Sequence, residues 1–132
     1  MKDIKTARLL YQKAGNDFTA IQNMTNVSLF SDDIFGFHAQ QSVEKLLKAL
    51  LALRGILYPK THDIYPLLRR LESTGENTSD FDDLVELNMY AVQARYDDYH
   101  ETDEPLNRIE WIQKIQNLLL HVEIRLNATL DE

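Results

Sequence analysis

The amino-acid sequence predicts an all-α fold, a five-helix antiparallel up-and-down bundle formed by a single domain over residues 1–132. Apolar residues recur at steps of three and four along most of the chain, which is the period of an amphipathic helix. No segment shows the sustained alternation of apolar and polar residues that predicts a strand. A length of 132 residues suffices for one hydrophobic core but is too short for two domains.

The first two helices have the clearest periodicity. Helix one has a predicted buried stripe of Ile4, Ala7, Tyr11, Ala14, Phe18 and Ile21. Ser31, Asp32 or Asp33 can cap helix two, because their side-chain oxygens accept hydrogen bonds from the unpaired amides of a first turn. Gly55 suits the end of this helix. The predicted stripe of helix two is Phe35, Ala39, Val43, Leu46, Leu50, Leu53 and Leu57.

Two shorter helices follow the loop LYPKTHD. Thr61 or Asp63 can cap helix three, which reads IYPLLRRLE and has Pro66 in its first turn, where proline is tolerated. Ser79 or Asp80 can cap helix four, which reads FDDLVELNMYAVQARY. An α-helical period then predicts a core-facing row of Phe81, Leu84, Asn88, Ala91 and Arg95. It also predicts a second, partner-facing row of Val85, Met89, Val92 and Tyr96.

The fifth helix is predicted to begin at Thr102 or Asp103, with Pro105 near its first turn. Its predicted buried residues are Leu106, Ile109, Ile112, Leu119, Val122 and Leu126. Connections between the helices are short, which favours antiparallel neighbours in a bundle.

Charge and composition limit the classes of function. A net charge of -7 argues against binding nucleic acid over a broad surface, because such binding depends on neutralising phosphates. The charge is uneven, however: residues 38–70 carry six basic and two acidic side chains, whereas residues 71–110 carry two basic and twelve acidic ones. A local anion site therefore remains open. The absence of cysteine excludes disulfides and thiolate metal sites.

The stretch ARYDDYHETDEP places Arg95 at the end of the apolar row of helix four and His100 five positions later. Arginine can form two parallel hydrogen bonds to a phosphate, and histidine can exchange a proton near neutral pH. Together they can cleave RNA without a metal, the imidazole handling the proton and the guanidinium stabilising the charge on phosphorus. The alternative is structural: an ion pair of Arg95 with Glu44, Asp97 or Asp98, and a solvated loop histidine.

Two segments, FHAQQSVEKLLKALLALRGILYPKTHDIYPLL and YAVQARYDDYH, resemble the HEPN domain family. The resemblance extends from helix one to helix five, and HAQQSVEKLLKAL with the downstream THD is its most specific part. It implies a five-helix HEPN-like bundle that dimerises. It also implies that the motif R-x4-6-H, matched here by Arg95 and His100, forms a metal-independent endoribonuclease site at the dimer interface.

The resemblance further implies a partner, a minimal nucleotidyltransferase that acts as the antitoxin of a HEPN toxin. In that toxin subgroup the motif continues as H-x-Y, with a tyrosine that the partner can modify with AMP, and this chain has Thr102 at that place. Candidate substrate contacts are Lys45 and Lys48 on a polar face of helix two, with Asp97 and Tyr99 inside the motif.

Three classes of function therefore remain open. The first is a toxin-like endoribonuclease that cleaves RNA by attack of the 2'-hydroxyl. The second is a catalytically inactive HEPN module that binds a nucleotide or substrate and partners a small nucleotidyltransferase, and the third is a dimeric scaffold. No cofactor or metal is predicted, since no E-x-x-H pair is present to build a metal site between helices. The charged N-terminus MKDIKTARLLYQKAGNDF predicts neither a signal peptide nor a membrane span, so we expect a cytoplasmic protein.

Overall fold

The fold is an all-α bundle, as the sequence predicts. The computed structural model describes residues 2–91 and 106–130, and these contain five helices and no strand. The helices are α1 (Ile4–Gln22), α2 (Asp32–Leu53), α3 (Ile64–Ser73), a 3₁₀ helix (Ser79–Tyr90) and α4 (Arg108–Leu130). Within these described ranges, no helix is long and apolar enough to cross a membrane.

Helix α2 lies at the centre and packs against each of the other four helices. Its predicted cap is confirmed, since Ser31 Oγ accepts a hydrogen bond from the amide of Ile34 at 3.3 Å. Helix α3 is capped in the same way by Asp63, whose Oδ1 lies 2.9 Å from the amide nitrogen of Tyr65. Each cap satisfies a donor of the first helical turn.

Helices α1 and α2 are antiparallel. The amide of Asp3, just before α1, donates to the carbonyl of Ala52 near the end of α2 at 2.9 Å. In the middle of both helices, the Ser42 hydroxyl donates to the carbonyl of Ala14 at 3.0 Å. Ala14 and Ser42 are fully buried, and their small side chains let the two helices pack closely at this point.

Helices α2 and α4 run in the same direction. At the start of both, the Arg108 guanidinium lies 2.9 Å from Asp32 Oδ1. Towards the other end, Arg54 after α2 and Arg125 in α4 bind the same carboxylate, that of Glu76.

Helix α3 also runs with α2, because the connection before it returns along α2. Gln40 Nε2 donates to the carbonyl of His62 at 2.6 Å, while Arg54 Nη1 donates to the carbonyl of Thr74 at 3.0 Å. Residues 54–63 therefore travel back past the middle of α2 before α3 begins. Because of this return, α2 and α3 run in the same direction and do not alternate as predicted. The return also places His62 against α2.

The fourth element is a 3₁₀ helix where the sequence predicted an α-helix, and it starts after Thr78, whose side chain forms no cap. Its buried residues are Phe81, Leu84, Leu87 and Tyr90. The spacing of three residues is that of a 3₁₀ helix, with three residues per turn. Asn88 is therefore not a core residue, and Val85 and Met89 do not share a row. The prediction that Val85 and Met89 lie in one row along this helix is therefore wrong.

Two apolar residues predicted to be buried are exposed. Leu57 is 88% exposed because α2 ends at Leu53, and Ile109 is 68% exposed on the solvent side of α4. The α4 residues that enter the core are Ile115, Leu118, Val122 and Leu126. The predicted helix start at Thr102 or Asp103 lies outside the described residues.

Candidate functional site on helix α2

The predicted site residues divide between two parts of the chain. Arg95, Asp97, Tyr99 and His100 lie outside the described residues, as does Thr102. Lys45 and Lys48 are described, and both are on α2.

The polar face of α2 contains a buried carboxylate, Glu44, whose side chain is 5% exposed. Lys48 Nζ lies 2.9 Å from Glu44 Oε2, and His62 Nδ1 lies 3.0 Å from Glu44 Oε1. The amides of Gln40 and Gln41 also approach Oε1, each at 3.4 Å. Because a buried charge is costly unless it is paired and hydrogen-bonded, these contacts explain how Glu44 is tolerated there.

His62 differs from the carboxylate that holds it, since its side chain is 73% exposed. A carboxylate can only accept hydrogen bonds, so His62 Nδ1 carries the proton that it shares with Glu44. When the ring is neutral, Nε2 is then the nitrogen without a proton. The arrangement is an exposed imidazole, fixed in one tautomer, that can take or give a proton at Nε2.

A second cluster of the same composition lies on the side of α2 that faces α1. Asp17 of α1 accepts from Lys45 Nζ at 2.5 Å through Oδ2 and contacts His38 Nδ1 at 3.0 Å through Oδ1. Each cluster thus joins one carboxylate, one lysine and one histidine. The His38 side chain is 33% exposed, less than half as much as that of His62.

The two predicted substrate-contacting lysines are therefore both ion-paired. Lys45 is the more exposed of the two, whereas Lys48 is largely covered and its Nζ also lies 5.5 Å from the ring centroid of Tyr58. A phosphate would have to compete with Glu44 for Lys48 and with Asp17 for Lys45. Their role as substrate contacts stays a prediction.

The turn that carries His62 is tied to the end of the 3₁₀ helix. Asn88 Oδ1 accepts from the amide of Ile64 at 2.9 Å, and Asn88 Nδ2 donates to Asp63 Oδ1 at 2.6 Å. Ala91 follows this helix directly and donates its amide to the carbonyl of Asn88 at 3.0 Å. The described part of the chain therefore ends, at residue 91, close to the turn before α3.

A third cluster surrounds Glu76, at the C-terminal end of α2. Arg54 and Arg125 bind its two carboxylate oxygens at 3.1 and 2.8 Å, and His121 Nε2 lies 3.3 Å from Oε2. Burial raises the pKa of the Glu76 carboxyl, but the charges and hydrogen bonds of Arg125, together with Arg54 and His121, more than offset this and hold the pKa below its ordinary value. Both oxygens are occupied by side chains that join α2, α4 and the turn after α3. The cluster therefore stabilises the contacts between these parts of the bundle.

A small cleft between α3 and the 3₁₀ helix has a volume of about 170 Å³. Its lining includes the carboxylates of Glu72 and Asp82 and the cation of Arg69. Ligand pockets usually exceed about 300 Å³, and the carboxylates disfavour a phosphate. Among the described residues, no group of three or more histidine, aspartate or glutamate side chains is placed to hold a metal ion.

The sequence does not predict the Glu44–His62 contact, although both residues fall in the segments HAQQSVEKLLKAL and THD that carry the family resemblance. His62 reads as part of a helix start, because THD precedes the apolar residues of α3. Its ring reaches Glu44 only because residues 54–63 return along α2. The signal was present in the two segments, but their contact depends on the course of that loop.

Comparison with known proteins gives one result for most of the chain. The family model described as the HEPN domain matches residues 7–125. The matched residues run from α1 into α4 and include both clusters on the polar face of α2. No curated protein and no solved structure matches the chain.

Proposed function

The chain belongs to the HEPN domain family, and on that premise we propose that it is a metal-independent endoribonuclease of the toxin type. HEPN domains act in general as ribonucleases or as nucleotide-binding modules. The motif R-x4-H, with Arg95 and His100, favours the ribonuclease. In this proposal Arg95 binds the scissile phosphate and His100 exchanges a proton with the ribose or the leaving group.

One structural observation supports this proposal most strongly. Asn88 holds the end of the 3₁₀ helix against the turn bearing His62, and residue 91 leads from there towards the motif. Arg95 follows Ala91 by four positions, and four residues of extended chain span at most about 14 Å. The described chain ends beside the turn before α3, and this supports a site in which the motif and α2 act together.

The reaction requires an attack by the ribose 2'-oxygen on the adjacent phosphorus. The 2'-hydroxyl loses its proton, the new oxygen–phosphorus bond forms, and the bond to the 5'-oxygen breaks. The products are a 2',3'-cyclic phosphate and a 5'-hydroxyl end. Arg95 is suited to the charge that develops on the phosphoryl oxygens, because its planar guanidinium can donate two parallel hydrogen bonds.

We place the active site in a homodimer, in line with the tendency of HEPN domains to dimerise. The described surface that best supports this is one face of α4, where Ile109, Leu120 and Ile124 are exposed. Steps of eleven and four residues bring these three side chains to the same side of an α-helix. Light scattering should report a dimer at micromolar concentration, and the double substitution Leu120→Glu with Ile124→Glu should shift it to a monomer.

We also place a minimal nucleotidyltransferase beside this chain as its antitoxin. Thr102 stands where related toxins have the tyrosine that receives AMP. A secondary alcohol on a short side chain reaches less far and ionises less readily than a phenol. Inhibition by binding, without a nucleotidyl adduct at Thr102, is the expected mode. Mass spectrometry of the two co-expressed proteins tests this, and a stoichiometric adduct at Thr102 would contradict it.

The decisive experiment incubates the purified chain with RNA in the presence of a chelator. Fragments ending in 2',3'-cyclic phosphate are expected, and His100→Ala should lower the rate by about 10²- to 10⁴-fold. Arg95→Lys should also be damaging, because lysine keeps the charge but loses the fork of donors. If both variants remain folded and cleave RNA as fast as the parent, the proposal fails. The chain is then better described as a HEPN module that binds a nucleotide or its nucleotidyltransferase partner.

A further inference from the structure

We infer that the exposed face of helix α1 binds the phosphate backbone of a single RNA strand through Lys5, Arg8 and Lys13. The choice of RNA rests on the proposed function, whereas the residues that carry the inference all lie in the described part of the chain. Contacts to phosphate hold a strand without reading its bases. The inference therefore adds to the proposed function a surface that holds the substrate irrespective of its sequence.

The three cations lie on one face of α1. Because successive residues of an α-helix are about 100° apart, Lys5, Arg8 and Lys13 fall within an arc of about 140°. They extend over about 12 Å of the helix axis, and all three are exposed. The other exposed residues on this face are Leu9, Gln12, Asn16 and Thr19. Apart from the leucine, the face therefore presents only cationic and uncharged polar side chains.

None of the three cations forms an ion pair with a described residue, whereas seven other lysine and arginine side chains do. The nearby carboxylates are already engaged. Asp3 caps α1 by accepting a hydrogen bond from the amide of Thr6 at 3.0 Å. Asp17, the one acidic residue of α1, is bound by Lys45 of α2. A phosphate at this face would therefore not have to displace a carboxylate, as it would on the polar face of α2.

Much of the negative charge of the described residues lies away from α1. Residues 71–91, which include the end of α3 and the 3₁₀ helix, carry six acidic side chains and no basic one. Helix α1 packs against α2 and α4, but within the described residues it makes no contact with α3 or the 3₁₀ helix. The net charge of -7 disfavours nucleic-acid binding over a broad surface. A basic face about 12 Å long holds only a few phosphates and does not need such a surface.

The composition of this face favours RNA over a protein or a membrane. The buried centre of a protein interface is usually apolar and poor in lysine, but Leu9 is the one large apolar side chain exposed on α1. A helix that lies on a membrane buries an apolar face in the lipid, but the apolar face of α1 is already in the core. Lysine, arginine, asparagine and glutamine side chains are those that donate to phosphate oxygens.

The test measures binding separately from cleavage. Fluorescence anisotropy is recorded with a labelled oligouridine whose 2'-hydroxyls are methylated, because such a strand has no nucleophile and cannot be cut. We expect the triple substitution Lys5→Gln, Arg8→Gln and Lys13→Gln to weaken binding by about 10- to 100-fold at about 0.1 M salt. The slope of log K against log salt concentration should fall in magnitude by about 2, since each phosphate contact on a single strand contributes about 0.7. Thermal melting should show an unchanged fold, because all three residues are exposed.

The matched control removes three charges from another surface, by Lys60→Gln, Arg69→Gln and Arg70→Gln. These residues are also exposed, and the two arginines are on α3, which does not contact α1 among the described residues. The control has the same net charge as the α1 variant. Its affinity should stay within about threefold of the parent, because the phosphate contacts are retained. Equal losses in the two variants would overturn the inference, since binding would then follow net charge alone.

The remaining outcomes separate this inference from the proposed function. If the parent cleaves RNA while the α1 variant binds the methylated strand as tightly as the parent, the inference alone is wrong. If the parent produces no cyclic phosphate ends but binds the strand through α1, the proposed cleavage fails and the inference stands. A parent that does not bind the strand removes the inference. Tighter binding to phosphatidylserine vesicles than to the strand, lost in the α1 variant, would identify α1 as a membrane surface and also overturn it.

Discussion

The ring of Tyr90 lies directly against the backbone of Gly36. A Cβ atom at position 36 would lie 2.3 Å from Tyr90 Cγ and within 2.5 Å of both Cδ atoms of the ring. Real Cβ contacts are far longer, so only glycine leaves room for the tyrosine. This contact brings the last turn of the 3₁₀ helix onto α2, close to where residue 91 leaves the described fold.

We expect Gly36→Ala to lower the free energy of unfolding by about 1 to 3 kcal/mol, because the ring or the helix must move to admit the methyl group. Urea denaturation measures the change. Gly15→Ala is the control: it is also within a helix, but a Cβ there meets nothing within 4 Å. That substitution should stabilise the protein by up to about 1 kcal/mol through helix propensity. Equal effects of the two changes would contradict the packing argument.

Arg108 forms hydrogen bonds that join the start of α4 to the segment between α1 and α2. Its guanidinium is buried and donates to the carbonyls of Met24 and Phe30 at 2.6 and 2.7 Å, besides its contact with Asp32. Arg108→Lys should lower the free energy of unfolding by about 2 to 4 kcal/mol, because one ammonium cannot reach all three acceptors and part-buried carbonyls are left unpaired. Arg69→Lys, on the exposed face of α3, should change stability by less than about 0.5 kcal/mol. Similar losses in thermal melting would refute this reading.

Glu76 should make the free energy of unfolding depend on pH in the acidic range. A carboxyl whose pKa is lowered in the folded state stabilises the fold above its unfolded-state pKa, and this contribution is lost as pH falls through the lowered value. Glu76→Gln should therefore destabilise the protein at neutral pH by about 2 to 4 kcal/mol. The difference from the parent should shrink as the pH falls below the ordinary value of 4.5. Glu72→Gln, on the exposed face of α3, is the control and should show little effect at either pH.

The phenol of Tyr11 should titrate at an unusually high pH. Burial, with a 2.8 Å hydrogen bond from its hydroxyl to Glu123, raises the pKa of the phenol from 10.0 to about 12. A raised pKa stabilises the fold below the unfolded-state value, and the stabilisation is lost as pH rises through about 12. Ultraviolet titration of the parent minus Tyr11→Phe should isolate a component centred there. Glu123→Gln should move that component to lower pH, and a component near 10 in the parent-minus-variant difference would disprove the assignment.

The helical elements were predictable from the sequence because their signals are local. Ser31 and Asp63 act as caps, and the stripe from Phe35 to Leu53 is buried, as its spacing indicates. The helix from residue 79 was harder, since Phe81 and Leu84 fit both a period of 3.6 and a period of 3.0. What decides between them is tertiary: Tyr90 fits against Gly36, and Asn88 bonds the turn before α3. Local spacing does not contain that information.

The site was predictable only in part for a similar reason. Lys45 and Lys48 could be assigned to one polar face of a helix, because they are three residues apart on a strongly periodic segment. The sequence did not indicate which carboxylates pair with these two lysines. Glu44 is four residues from Lys48, but Asp17 belongs to another helix, and His62 reaches Glu44 through a returning loop. Contacts between distant parts of a chain depend on packing that a single sequence does not specify.

The contacts at the two ends of α4 imply that the chain can be divided. Arg108 holds the first turn of this helix to residues before α2, and Arg125 holds its later part to Glu76, while its apolar side enters the core. All of these contacts join residues 2–91 to residues 106–130 without a covalent link. Two separately expressed fragments, cut between residues 91 and 106, should therefore reassociate when mixed. Fragment complementation of this kind would let the R-x4-H segment be exchanged as a synthetic peptide extension of either half.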